Sequence, residues 1–109
     1  MEMCNAERFG FGEALTWLRN GYRVARRGWN GKNMCIYLTE ESDVPFHKMK
    51  PAVQNALISC RSEELNLDKC EPCIHINSHI DMVCADGSIT CGWVASQIDM
   101  NARDWYIVQ

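Results

Sequence analysis

The sequence predicts a small α+β domain with one antiparallel sheet, an N-terminal helix and a helical insertion in the middle of the chain. Three observations predict it. Apolar residues at helical spacing occupy 11–18, and short alternating runs flank both Asn30-Gly31 and Asp86-Gly87. Pro51 then opens a second helical stretch between those two hairpin signals.

Taken in order, Phe11, Leu15 and Leu18 share a helical face with Ala14 beside them, so FGEALTWLRNG reads as a helix of about three turns. Gly21 is placed to end it in a left-handed cap. YRVAR alternates as a short strand, and MCIYL, residues 34–38, is the returning one. Between them Arg27-Gly28-Trp29-Asn30-Gly31-Lys32 is a turn in which Asn-Gly is expected to supply the positive φ. Residues 39–73 are the least regular, with a helix from Pro51 through Ile58 and RSEELNLDKCEPC as a polar connection. HIDMVC and SITCGW are strands around Asp86-Gly87. VASQIDMNA is a loop or short helix, and WYIV is a terminal strand. The 109 residues make one domain, 1–109, with the insertion at about 39–78.

Composition excludes several classes of function. No apolar run approaches the roughly 20 residues that span a bilayer. MEMCNAERFG has neither the basic start nor the apolar stretch of a secretory signal, so a cytosolic protein without membrane contact is expected. Seven cysteines, an odd number, fit reduced thiols better than a disulfide framework, most of them as small buried hydrophobes. A net charge of −3 argues against binding a nucleic-acid polymer. Yet no Asp or Glu occurs from Ala14 to Thr39, where Arg19, Arg23, Arg26, Arg27 and Lys32 all fall. A local basic patch on an acidic body suits a small anion, or is simply a solvated face.

Four constellations could carry chemistry. Trp29, Asn30 and Lys32 lie in a tight basic turn with Arg26 and Arg27 before it. The Trp29 ring must cover something beyond its own hairpin, either core or a flat ligand, and the arginine forks match phosphate oxygens. In GWVASQIDMNARDW, residues 92–105, Trp93 offers a second ring, and Ser96, Gln97, Asp99 and Asp104 could read ribose hydroxyls and base edges. A capped helix, with Ser96 as N-cap and Asp99 three residues on, explains two of these without any ligand. Cys70-Glu-Pro-Cys73 with His75 and His79 beyond and Cys60 before has half of a zinc pattern; no second Cys-x2-Cys completes it, so no metal site is assigned. His79 and Asp81, two apart on a strand, could form a general base and its orienter, a spacing easily met by chance.

FGEAL, RRGWNGK followed by MCIYL, HIDM followed by ADGSIT, and GWVASQIDMNARDW together resemble the second family of Thoeris anti-defence proteins, small phage proteins. The resemblance covers about 9–38 and 79–107. It implies a non-catalytic sponge, without cofactor, that captures a cyclic nucleotide immune signal. That signal is glycocyclic ADP-ribose in Thoeris; some relatives also take cyclic dinucleotides such as cyclic GMP–AMP of CBASS systems. It further implies a homotetramer with pockets between protomers, acting in the cytoplasm of the infected bacterial host. Trp29, Asn30, Lys32, Trp93, Ser96, Gln97 and Asp99 are the positions the resemblance implies to line or support the pocket. Residues 39–78 depart from the family's short members, which bears on ligand range more than on fold.

Overall fold

In a computed structural model of the chain, residues 8–65 and 71–109 are described. Contacts divide the chain into two compact units, residues up to Thr39 with His79–Gln109, and Glu40–Ser78. Among the described residues no helix is long and apolar enough to cross a membrane.

The first unit is a five-stranded antiparallel sheet with two helices. Its elements are α1 (Phe11–Arg19), β1 (Arg23–Arg26), β2 (Cys35–Thr39), β5 (His79–Val83), β6 (Ile89–Thr90), α3 (Gln97–Asn101) and β7 (Trp105–Val108). The strand order is β6-β5-β2-β1-β7. Val24 faces Ile36 and Ile36 faces Met82, so one side chain from each of three adjacent strands lands on the same face. Ala14 and Leu18 of α1 join them, with Phe9 and Trp105, in one buried cluster. Burying each large apolar side chain there contributes roughly 1.5–3 kcal/mol. Trp105 is fully buried, and its indole N–H donates to the Asp99 carbonyl at 3.0 Å, as an interior indole requires.

The turn signals act in two different ways. Gly21 has φ of 90°, so the left-handed end of α1 is where the sequence places it. Asn30-Gly31 is different: the positive φ in this loop belongs to Asn33, at 60°. Gly31 is needed for close packing instead, because a methyl group on it would come within 2.6 Å of Met34 Sδ and 2.7 Å of Ala85 Cβ. The connection is therefore a longer loop than a two-residue hairpin turn.

The second unit pairs β3 (Ser42–Pro45) with β4 (Cys73–Ile76) in antiparallel register, from Ser42↔Ile76 to Pro45↔Cys73. A 3-10 turn follows at Phe46–Lys48, then α2 (Pro51–Leu65). The Gln54 amide donates to the carbonyls of Phe46 (3.1 Å) and Met49 (2.9 Å), fastening the start of α2 to that turn. RSEEL, expected as connection, is helical; the break sits inside α2 at Arg61, with φ −139° and ψ 29°. The expectation of mostly buried thiols also fails. Of the described cysteines, all free, Cys35 is buried, Cys84 is half-buried, and Cys60, Cys73 and Cys91 are exposed.

Candidate functional site

The loop between β1 and β2 borders an open cavity of about 610 Å³. Arg26, Arg27, Trp29, Asn30 and Lys32 all line it, joined by Gly31, Asn33, Met34 and Tyr106. Tyr106 was not expected. It follows the buried Trp105 on β7, and the Arg27 guanidinium lies 4.3 Å from the centre of its ring. Alternation along WYIV, which puts Tyr106 on the face opposite Trp105, was the signal that could have found it.

Arg26 is not spread toward the cavity. Its Nη1 donates to Asp99 Oδ1 at 2.9 Å, its Nε to Asp104 Oδ1 at 2.9 Å, and its Nη2 to Asp104 Oδ2 at 3.5 Å. One guanidinium thus serves two carboxylates and leaves a net negative charge behind the wall. Arg27 and Lys32 are the other cations of the lining. Burial alone would push both carboxyls up, but the hydrogen bonds from Arg26, with Trp29 and Ser96 on Asp99 and Gly28 on Asp104, outweigh it. Both sit below the usual carboxylate range. The Arg26 pKa is raised in turn, Asp104 being the largest cause.

Asp99 is the junction of this arrangement. Its Oδ1 also accepts from the Trp29 indole N–H at 3.1 Å. Its Oδ2 accepts from the Ser96 amide at 3.1 Å, while Ser96 Oγ accepts from the Asp99 amide at 3.0 Å. The capping box expected as an alternative is therefore present, and the same carboxylate holds the pocket wall. Asp104 accepts from the Gly28 amide at 2.8 Å. Glycine at residue 28 leaves room for that approach, since a methyl there would meet Asp104 Oδ2 at 2.8 Å and Arg26 Nη2 at 3.0 Å and push one of them aside.

Trp29 lines the cavity with its ring braced from behind. Its centroid lies 5.4 Å from Trp105 and 6.2 Å from Trp93, both edge-on, and Trp93 meets Trp105 at 6.3 Å. Ser96, Asp99, Asp104 and Trp93 accordingly stand behind the lining rather than in it. Gln97 is exposed at the start of α3, where its carbonyl accepts from the Asn101 amide at 2.9 Å.

The other expected constellations are placed elsewhere. His79 Nε2 lies 3.4 Å from Asp81 Oδ2, and the buried Asp81 also accepts from Thr39 Oγ1 at 2.6 Å and the Gly92 amide at 2.9 Å. Cys73 and His75 share the exposed face of β4, but both His75 nitrogens are taken, by Glu41 and Asp43 at 2.9 Å each. Cys70 lies outside the described residues; among those described, no three potential ligands converge on a metal position. A second hollow, of about 450 Å³, runs between the start of α1 and the end of α3, past Glu13, Met100 and Arg103.

Comparison with known proteins bears on the whole of this arrangement. A Thoeris anti-defense 2-like domain model matches residues 9–108, the stretch that runs from the Phe9–Trp105 bridge to the end of β7. The protein "Thoeris anti-defense 2" of Bacillus phage SP01 is 37% identical over 101 residues, covering 93% of this chain and 96% of that protein. With both ends of the sheet, the cavity loop and the Asp99 junction inside the matched region, the chain belongs to the Thoeris anti-defense 2-like family.

Proposed function

We propose that the protein serves its anti-defence role by sequestering a cyclic nucleotide signal, held intact, with glycocyclic ADP-ribose as the ligand. The observation that carries this reading is the cavity itself. About 610 Å³ is within the range of small-molecule sites, and its wall combines a braced indole, a tyrosine and two amides with Arg27 and Lys32. Cations suit a pyrophosphate, flat rings suit adenine, and the Asn30 and Asn33 amides suit base or ribose edges. The lining chemistry holds charge and hydrogen-bond edges, which favours retention over bond breaking. Trp29 is braced before any ligand arrives, and such preorganisation lowers the ordering cost that a tight binder must offset.

Assembly as a homotetramer, in the cytoplasm of the infected host, completes the reading. Val94, Ile98 and Met100 are 83%, 73% and 41% exposed on and beside α3, apolar surface that a second copy would cover. Cyclic GMP–AMP is the second ligand to try, since relatives resembling this chain are expected to take cyclic dinucleotides.

The test is retention. Purified protein is incubated with glycocyclic ADP-ribose or with cyclic GMP–AMP, stripped of free ligand, heat-denatured, and its supernatant run on chromatography. Intact nucleotide near one equivalent per site is the expected result. Chemically altered nucleotide would replace the sponge with an enzyme, and His79 with Asp81 would be the pair to substitute first. No retained nucleotide would sink the proposal.

A further inference from the structure

We infer that Asp99 is the positioning residue of the pocket, acting on the ligand through Trp29 and Arg26 without touching it; the inference rests on the cavity being the ligand site. Few side chains in the unit join so many parts. From one short helix, Asp99 binds the loop indole of Trp29, the β1 guanidinium of Arg26 and its own N-cap, while its carbonyl holds the indole of Trp105. It is buried, so these bonds are made where water competes poorly.

Two consequences follow for binding. The Trp29 ring lines the cavity with its N–H on the Asp99 carboxylate, so the plane a base would stack on is set by Asp99. Arg26 is turned back into the wall by Asp99 and Asp104 together, so its fork is spent on architecture. The cations that meet a phosphate are Arg27 and Lys32. Arg26, read from sequence as a phosphate ligand, becomes a second positioning group.

A purely structural role for Asp99 makes a different forecast, and indole resonances separate the two. Trp29 and Trp105 both donate indole protons to residue 99, one to the side chain and one to the backbone carbonyl. In Asp99→Asn the Trp29 indole N–H resonance should shift and exchange faster, while that of Trp105 stays in place. Affinity for glycocyclic ADP-ribose should fall at least tenfold. Asn101→Gly loosens α3 without reaching Arg26 or Trp29; it should lower Tm and leave affinity within twofold. Should Asp99→Asn fail to fold, replacing Trp29 by benzothienylalanine keeps a bicyclic ring of the same shape and removes the N–H donor, and a loss of at least fivefold is expected. Unchanged affinity in a folded Asp99→Asn, or equal movement of both indole resonances, overturns the inference. Asn101→Gly losing affinity as much as Asp99→Asn would do the same. If the wild type retains no probe, the proposed function fails separately, and the two resonances decide the positioning role alone.

Discussion

Two carboxylate–cation networks, one in each unit, show how differently the same charges behave. In the sheet unit, Arg26 meets Asp99 and Asp104 with side chains 13%, 11% and 28% exposed. In the 40–78 unit, His75 bridges Glu41 and Asp43 with side chains 47% and 67% exposed, and His47 meets Glu71 near the surface. The first uses a cation that never titrates in the working range and a fork that fixes two partners at once. The second uses histidine, whose charge depends on its proton, in water that screens it. Geometry is kept by the first. Sensitivity to conditions belongs to the second.

The largest expected effect breaks the buried network. Arg26→Ala would leave two carboxylates facing each other without their shared cation. Removing one partner of such a group costs about 3 kcal/mol or more, which for a domain of this size is a fall of roughly 12 °C or more in Tm. A loss under a few degrees by calorimetry would show that water already compensates these charges. A smaller effect comes from Gly28→Ala, whose methyl must displace Asp104 or Arg26. Overpacking of this kind costs about 1–3 kcal/mol, and ligand retention should weaken because residue 28 opens the cavity loop. Equal stability and retention would mean the loop yields freely there.

The smallest effect sharpens the contrast by pH. The hydrogen bond to Asp43, aided by Glu41, raises the His75 pKa above its ordinary value. A raised folded value means its contribution is fully present below about pH 6.5, the unfolded value, and is lost as pH rises through the folded one. Asp99 and Asp104 are held low, so their contribution is present above about pH 4 and lost only as pH falls through the depressed values. Amide protection factors along β3 and β4 should therefore decline from pH 6 to pH 8.5 in low salt, and stay flat in His75→Gln. Those in β1 and β7 should not respond over that span. A decline in His75→Gln equal to wild type would remove His75 as the cause.

How much of this was legible depends on sequence separation. The α1 face, the Asp86-Gly87 hairpin and the Ser96–Asp99 cap are local, set by residues close together in the chain, and all three formed, though SITCGW is strand only at Ile89–Thr90. The cavity loop was legible for the same reason: its cations, Trp29 and Asn30 are neighbours in the chain. The bonds that decide what each group does were not. Arg26 reaches Asp99 and Asp104 across 73 and 78 residues, and no local pattern states which of several arginines a carboxylate will choose. Hence Asp99 read as a hydroxyl reader, and Arg26 as a phosphate fork, when each satisfies the other. Strand β3 was missed because SDVP carries two strand-disfavoured residue types; its pairing with CIHI, 31 residues on, supplies what propensity lacks. In the Asn30-Gly31 loop the expected dipeptide was right in place and wrong in reason, because crowding by Met34 and Ala85 selects the glycine.

One pairing in the sheet has an evolutionary side. Thr39 and His79 are cross-strand partners, so residues 40–78 depart from the sheet and rejoin it at a single rung. A two-residue turn is enough to join such partners, while β2 and β5 hold their own register through five residue pairs. Lineages under pressure from shifting host defences can therefore lengthen, swap or discard that segment as a cassette without re-registering the strands that carry the cavity.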